Sequence, residues 1–323
     1  MPERTTLDEL NVGLGKRTRL HRLLYEHGPG SGTLLLLPVD HGVEHGPVDF
    51  FPNPPSGDPA YQLRLAKEGG YSGIALHIGL AEKYMRAYAG DVPLILKING
   101  RPHIPETDWP LSAQDALVED AVRLGADGVG YTLYVGSGRQ NEDFVQLMGV
   151  RSRCEEVGMP LIVWAYPRGA AIEEKGGRNS IYAVDYAARL ACELGADVVK
   201  LNVPAFDDPQ NEDSPEPYRE LYHTWKNLDE NEAYQRAVEK VVASAGRTMV
   251  LFSGGSKTSD EDLLTKARIC MESGATGLIF GRNMWQRPYD DGLFITEQLK
   301  EVLLASRRDA GSAVRGSSVG MDG

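Results

Sequence analysis

The stretch Leu194-Gly-Ala-Asp-Val-Val-Lys-Leu201 contains the end of a predicted helix, a glycine turn and a short apolar strand. Glycine ends a helix readily, and a strand that follows at once is typical of an alternating arrangement of helices and strands. The same order recurs at Leu124-Gly-Ala-Asp127 and, with threonine, at Ser273-Gly-Ala-Thr276. Such repeated units predict a parallel sheet covered by helices.

Eight short apolar segments alternate with helical patterns along the chain. Eight such units over about 250 residues are the size of a (β/α)8 barrel, so we predict a single TIM barrel of the α/β class. A doubly wound sheet is the alternative, and the lack of a Gly-x-Gly-x-x-Gly turn after the first strand counts against it. The predicted strands are residues 33–39, 73–77, 92–98, 126–132, 160–165, 197–201, 248–252 and 276–280.

The helical patterns between these strands have ordinary start and stop signals. The pattern over residues 112–124, for example, begins at a potential N-cap serine, Ser112, and precedes Gly125. The predicted helices are residues 17–27, 58–69, 80–88, 112–124, 141–157, 180–194, 232–245, 260–272 and 292–305.

Composition divides the chain into three regions. Residues 1–32 are predicted to be an N-terminal extension, residues 33–306 the catalytic barrel, and residues 307–323 a flexible tail rich in Gly, Ser and Ala. The stretch 204–230, after the sixth strand, is acidic and contains several prolines. A loop of this length is expected to be a lid or part of an oligomer contact.

The overall charge narrows the class of partner. The chain has 323 residues and a formal net charge of −12, which argues against nucleic acid or an anionic membrane surface as the main partner. Its N-terminus has no apolar signal core, and no apolar run is long enough to cross a bilayer. The three cysteines are widely spaced, which predicts buried thiols in a reducing cytoplasm and neither disulfides nor a zinc cluster.

Polar and aromatic residues gather where the predicted strands end. Active sites of TIM barrels lie at the carboxyl ends of the strands. The residues predicted at these ends include Asp40, Lys97, Trp164, Tyr166 and Lys200. Trp164 and Tyr166 lie two apart on one strand and so share a face. Tyr166 is suited to proton exchange and Trp164 to excluding water, although two core aromatics are an equal alternative.

Two lysines occupy apolar strands, where an ammonium group loses its hydration. Burial lowers the pKa of a lysine, and the neutral amine is a nucleophile toward carbonyl groups. Lys97 and Lys200 both fit this description. Either side chain can instead point outward between helices, or pair with a buried carboxylate such as Asp40. Spacing does not decide which lysine is the nucleophile.

The last two strands run into glycine-containing turns. Ser253-Gly254-Gly255 follows strand seven, and Gly281-Arg282 follows strand eight. Backbone N–H groups of glycine turns approach oxyanions closely, arginine binds them in a bidentate manner, and these two loops often bind phosphate in this fold. The alternative is that the glycines only permit tight turns. We predict a phosphate site.

The segment His41-Gly-Val-Glu44-His45 matches the His-x-x-Glu-His pattern of one class of zinc proteases. That pattern requires a helix, whereas here it follows a strand and contains Gly42. We therefore predict no metal site and no cofactor.

Taken together, these motifs resemble the class I fructose-bisphosphate aldolases of the archaeal and bacterial type. The matching landmarks span the barrel in order: Leu37-Pro-Val-Asp40-His-Gly-Val-Glu-His45, Val163-Trp-Ala-Tyr166-Pro-Arg168, Ala196-Asp-Val-Val-Lys200, Ser253-Gly-Gly255 and Gly277-Leu-Ile-Phe-Gly281-Arg282.

The resemblance implies a role for each matched residue. Lys200 matches the Schiff-base lysine, Tyr166 the proton donor, Trp164 the site tryptophan and Asp40 the aspartate of strand one. Lys97 would supply positive charge near the carbinolamine or a phosphate. The residues implied to hold the C1 phosphate are Ser253, Gly254, Gly255, Gly281 and Arg282.

The resemblance also implies the reaction, which is reversible cleavage of fructose 1,6-bisphosphate to dihydroxyacetone phosphate and glyceraldehyde 3-phosphate in glycolysis and gluconeogenesis. It further implies a cytoplasmic homo-oligomer that needs no metal. A related lysine-dependent aldolase, transaldol-type synthase or thiolase acting on another phosphorylated ketone is the alternative. A catalytically silent scaffold is a third possibility, and the complete set of Lys200, Tyr166 and Asp40 argues against it.

Overall fold

Eight parallel strands form one closed barrel in the computed structural model, which describes residues 2–104, 107–254 and 259–306. Each strand pairs with the next along the chain, and the eighth pairs with the first. The predicted TIM barrel is therefore confirmed. The strands are β1 (Leu34–Pro38), β2 (Gly73–His77), β3 (Leu94–Lys97), β4 (Gly128–Val135), β5 (Leu161–Pro167), β6 (Val198–Leu201), β7 (Met249–Ser253) and β8 (Gly277–Ile279).

Side chains along each strand alternate between the barrel interior and the helix layer, as the two-residue repeat of a strand requires. In β1, Leu34 and Leu36 pack inside the barrel, whereas Leu35 packs against the surrounding helices. Trp164 and Tyr166 on β5 belong to the inner group. This alternation turns the functional side chains inward.

Helices connect the strands and surround the barrel. Several begin at side-chain caps, because Asp58, Ser180, Asp229 and Ser259 each accept hydrogen bonds from the first turn. The helices are α1 (Leu14–His21), α2 (His41–Glu44), α3 (Pro59–Glu68), α4 (Ile78–Tyr84), α5 (Val118–Arg123), α6 (Gln140–Val157), α7 (Ala170–Glu173), α8 (Ile181–Glu193), α9 (Glu216–Trp225), α10 (Glu230–Ser244), α11 (Asp260–Glu272), α12 (Arg282–Trp285) and α13 (Tyr289–Ala305).

The helix predicted over residues 112–124 is wrong in its first half. Ala113–Gln114 instead pairs antiparallel with Asn99–Gly100, just beyond β3. The backbone N–H of Asp115 donates to the carbonyl of Ile98, so this segment is held against the end of the barrel. Ser112 is buried and caps no helix.

The N-terminal extension closes the barrel at the amino ends of the strands. Leu20 and Leu23 belong to the same apolar cluster as the inward-facing residues of the strands. Lys16 pairs with Asp197 at the start of β6, and Arg22 pairs with Asp127 before β4. Two aspartates of the repeated Gly-Ala-Asp turns therefore anchor this extension.

The stretch after β6 is more ordered than a plain loop. It contains a 3-10 helix, Pro209–Asp213, followed by α9. Tyr222 and Trp225 pack with Ile181 in a small separate apolar cluster. The tail 307–323 lies outside the described residues, so the three-part division of the chain stays a prediction. No helix in the described part of the chain is long and apolar enough to cross a membrane.

Candidate active site

A cavity of about 620 Å³ opens at the carboxyl ends of the barrel strands. Of the residues predicted for the site, eight line this cavity: Asp40, Trp164, Tyr166, Lys200, Ser253, Gly254, Gly281 and Arg282. Lys97 lies beneath the cavity wall and is fully buried. Gly255 lies outside the described residues.

Lys200 is a buried lysine without a salt-bridge partner among the described residues. Its Nζ donates a hydrogen bond to the hydroxyl of Tyr166 and lies 4.1 Å from the centre of that ring. Within the described residues it forms no salt bridge, and its side chain is only 6% exposed. Burial lowers the pKa of Lys200 to about 7, and the charges of Lys97 and Arg168 act in the same direction. A large fraction of Lys200 is therefore a neutral amine near neutral pH.

Lys97 has four oxygen atoms around its Nζ. Its Nζ lies 2.6 Å from the hydroxyl of Thr132 and 3.1 Å from the carbonyl of Asn99. Two carboxylates complete the shell, Asp40 at 3.5 Å and Glu44 at 3.8 Å. Lys97 thus has two hydrogen-bond acceptors and two carboxylates around its Nζ, whereas Lys200 has no described salt bridge.

Asp40 is a buried carboxylate with two lysines and two histidines near it. Burial alone would raise its pKa, but Lys97, His41, His77 and Lys200 together hold the pKa of Asp40 below its ordinary value. The carboxylate therefore stays ionised throughout the neutral range. It is placed to stabilise positive charge that develops on a substrate nitrogen.

Tyr166 and Trp164 form the wall beside Lys200. Trp164 pairs in register with Lys200, and Lys97 Nζ lies 5.2 Å from the centre of its ring. Burial, followed by the charge of Glu44 and then of Asp40, raises the pKa of Tyr166 well above its ordinary value. The phenol therefore keeps its proton until it can donate it.

The glycine turns after β7 and β8 form the opposite wall. Neither Gly254 nor Gly281 has a positive φ angle, so a left-handed turn does not explain them. A Cβ at Gly281 would lie 2.7 Å from His41 Cε1, and a Cβ at Gly254 would lie 2.9 Å from Asn283 Nδ2. Close packing at the cavity wall thus excludes a side chain at both positions. Beside them, Arg282 carries the charge suited to an anion.

Several cavity residues are absent from the sequence-based set. Asn202 accepts a hydrogen bond of 2.6 Å from Ser253. It lies two positions after Lys200, so strand alternation was a usable signal. Glu44, Arg101, Arg168 and Arg178 also line the cavity, but they come from loops or short helices. Arg168 lies two positions after Tyr166, so strand alternation also points to it, whereas no strand periodicity points to the other three.

The histidine segment adopts one helical turn, α2, although its place after a strand and Gly42 argued against a helix there. The imidazole rings of His41 and His45 meet edge to face with their centres 5.7 Å apart, and each ring has a further partner. His41 packs edge-on against Trp285 with ring centres 5.2 Å apart, and His45 pairs with Asp49 at 2.7 Å. Among the described residues, no three His, Cys, Asp or Glu side chains are grouped to hold a metal ion.

The sequence profile of the DeoC/LacD family aldolases matches residues 34–287. The chain belongs to the DeoC/LacD aldolase family. A class 1 fructose-bisphosphate aldolase of Thermoproteus tenax is 38% identical to this aldolase over 278 residues, which cover 86% of this chain and 92% of the relative. A protein of the same name from Halobacterium salinarum is 36% identical, with coverages of 82% and 89%.

A solved relative shows a related chemistry. It is an archaeal fructose-1,6-bisphosphate aldolase in which the catalytic lysine is covalently bound to the carbinolamine intermediate of the substrate. Its TM-score with this aldolase is 0.72 and its identity 36%, covering 88% of this chain and 99% of that one. The predicted resemblance to class I aldolases of archaea and bacteria is confirmed. The role of each site residue stays a prediction.

Proposed function

We propose that this protein is a class I fructose-bisphosphate aldolase, a lyase that reversibly cleaves fructose 1,6-bisphosphate through a Schiff base on Lys200. The observation that carries the proposal is the contrast between two buried lysines. Lys200 is unpaired by any described carboxylate and has a pKa lowered to about 7, whereas Lys97 is bound by Asp40 and Glu44. The names of the relatives supply the substrate.

The reaction would begin when neutral Lys200 attacks the C2 carbonyl of the open-chain sugar. The product is a carbinolamine, which loses water to give an iminium ion. Tyr166 and Asp40 would move the protons of this dehydration, and ionised Asp40 and the wall of Trp164 would stabilise and shield the cation.

The iminium ion then withdraws electrons while the C3–C4 bond breaks. Glyceraldehyde 3-phosphate leaves, and an enamine of dihydroxyacetone phosphate remains on Lys200. Tyr166, which retains its proton because burial raises its pKa, would protonate C3 of the enamine. Hydrolysis then releases dihydroxyacetone phosphate and regenerates the amine.

Cationic groups on two sides of the cavity support a bisphosphate substrate. On one side, the turns at Gly254 and Gly281 with Arg282 would hold the C1 phosphate, together with Ser253 and Gly255. On the other side, Arg168 and Arg178 line the cavity without a carboxylate partner among the described residues. They would take the second phosphate, since arginine binds phosphate through paired hydrogen bonds.

The proposal also includes a cytoplasmic location and a homo-oligomer. A cytoplasmic location agrees with three cysteines that form no disulfide, because the cytoplasm keeps thiols reduced. A homo-oligomer is implied by the family resemblance. Size-exclusion chromatography with light scattering measures the oligomeric state directly.

The decisive experiment is reduction with borohydride in the presence of dihydroxyacetone phosphate, followed by peptide mass mapping. We expect one adduct, on Lys200. Lys97→Met is expected to retain an adduct on Lys200, and Lys200→Met to lose it. An adduct on Lys97, or none in the wild-type protein, contradicts the proposal. Cleavage of fructose 1,6-bisphosphate should also persist in EDTA, and loss of activity there would point to a metal-dependent reaction.

A further inference from the structure

One carboxylate in the cavity has no role in the reaction as described above. Glu44, the last residue of α2, lines the cavity, and its Oε1 is buried without a hydrogen-bond partner in the described part of the chain. Its only described ionic contact is Lys97 Nζ at 3.8 Å, which is too long for a hydrogen bond. Buried carboxylate oxygens normally accept a hydrogen bond, so this oxygen is available to a donor from the substrate.

The surroundings of Glu44 place it beside the reacting centre. Its charge contributes to raising the pKa of both Tyr134 and Tyr166, and for Tyr166 it acts more strongly than the charge of Asp40. It also acts on Lys200. Glu44 therefore lines the same cavity as Lys200, Tyr134 and Tyr166, and its buried Oε1 is an acceptor without a described donor.

Cleavage of the C3–C4 bond needs a base for the proton of the C4 hydroxyl. Tyr166 is protonated and serves better as a donor. Asp40 lies 3.5 Å from Lys97 and 3.6 Å from His41, and its interactions with its basic neighbours, Lys97 first among them, hold its pKa below its ordinary value, which makes it a weak base. Glu44 is the remaining described carboxylate that lines the cavity and is not exposed, because Asp108 and Glu173 are exposed.

We propose that Glu44 is the catalytic base that removes the proton from the C4 hydroxyl as the C3–C4 bond breaks. This assignment rests on the proposed aldolase function. The C4 oxygen keeps the electron pair of its O–H bond and forms the carbonyl of the leaving aldehyde. The proton moves to Glu44, and the electron pair of the C3–C4 bond moves to C3 and neutralises the iminium ion.

The same step explains how the site returns to its starting state. Tyr166 donates its proton to C3 of the enamine and becomes a phenolate. The proton held on Glu44 then restores the phenol. One proton is thereby transferred from the C4 oxygen to C3 with no net exchange at either side chain. In the synthetic direction, Glu44 acts as the acid toward the aldehyde oxygen.

The test compares two readouts in full-length variants. Glu44→Gln keeps the shape and removes the base, and Glu173→Gln is the matched control, because Glu173 is an exposed glutamate at the same cavity. We expect Glu44→Gln to lower kcat for cleavage about 100-fold or more, since general base catalysis contributes about that much. Borohydride trapping of dihydroxyacetone phosphate on Lys200 does not involve C4, so it should persist.

A second variant separates chemistry from folding. In Glu44→Ala, added formate can enter the space of the missing carboxylate and should restore part of the cleavage rate, whereas Glu44→Gln should not respond. Cleavage by Glu44→Gln within about threefold of wild type, trapping that falls in step with cleavage, or no formate rescue would each overturn the assignment. Failure of the aldolase proposal itself would appear earlier, as absent trapping in the wild-type protein.

Discussion

Lys97 and Lys200 show how two chemically identical side chains acquire different properties inside one barrel. Both are buried near the carboxyl ends of barrel strands. Among the described residues, only Lys97 has carboxylates within salt-bridge distance. A buried ion pair keeps a lysine charged, whereas burial without a partner favours the neutral amine. The difference predicts opposite effects on stability and on reactivity.

Removal of Lys97 should destabilise the fold more than removal of Lys200. Lys97→Met leaves Asp40 and Glu44 without their shared cation, so we expect the free energy of unfolding to fall by about 3 kcal/mol or more. Lys200→Met removes a buried amine whose pKa is lowered by burial and which forms no described salt bridge, and its stability should equal or exceed that of wild type. Urea unfolding of both variants at pH 7 measures this contrast. A Lys200→Met protein that is the less stable of the two would contradict it.

The lowered pKa of Lys200 predicts a pH dependence for Schiff-base formation. Only the neutral amine attacks, so the trapping rate should rise through a midpoint near pH 7 and level off above it, whereas an ordinary lysine would titrate near 10.5. Between these two values the unfolded chain keeps a proton that the folded protein has lost, so the contribution of Lys200 to stability increases with pH there. Rapid-quench trapping across the pH range is the measurement, and a midpoint above about 9 would refute burial as the cause.

At the scale of elements, local sequence signals were sufficient to predict the barrel. Apolar strands and glycine stops are read from neighbouring residues, and all eight predicted strands are present. The helix predicted from Ser112 failed because its first residues bond to the carbonyl of Ile98, a contact made only in the folded chain. Strand alternation also indicated Trp164 and Tyr166, and an apolar strand context indicated Lys200. Glu44 and Arg178 lie on a short helix and a loop whose paths depend on packing.

The N-terminal extension should contribute to stability through one buried ion pair. Lys16 is 1% exposed and lies 2.8 Å from Asp197, which is 7% exposed at the start of the strand that carries Lys200. Lys16→Met would leave this aspartate buried without its cation, and we expect a loss of about 3 kcal/mol or more. Urea unfolding midpoints and slopes provide the measurement.

The adjacent residue offers a control for this prediction. Arg17 pairs with Asp8 at the surface, where their side chains are 45% and 85% exposed. Arg17→Ala should cost less than about 1 kcal/mol, because solvent screens exposed pairs. Equal losses in the two variants would mean that the extension is held by its leucines alone.

At the scale of the whole molecule, the cavity is lined by positive charge although the chain as a whole is negative. The chain has a net charge of −12, yet its cavity is lined by Arg101, Arg168, Arg178 and Arg282. None of these has a described carboxylate partner within salt-bridge distance. A cavity with uncompensated cations attracts small anions even when the whole protein is acidic. Closure of the opposite end by the N-terminal extension leaves this mouth as the route to Lys200.

The two groups of arginines should therefore differ in which phosphate they recognise. Arg178→Gln is expected to lower kcat/KM for fructose 1,6-bisphosphate by about 10-fold or more, as loss of a charged hydrogen bond does, and to leave fructose 1-phosphate nearly unaffected. Arg282→Gln should lower kcat/KM for both substrates equally, because both carry the C1 phosphate. Arg189→Gln is the control, since Arg189 is exposed on α8 and pairs with Glu193. If Arg178→Gln impaired both substrates alike, Arg178 would serve the reaction centre and the second phosphate would lie elsewhere.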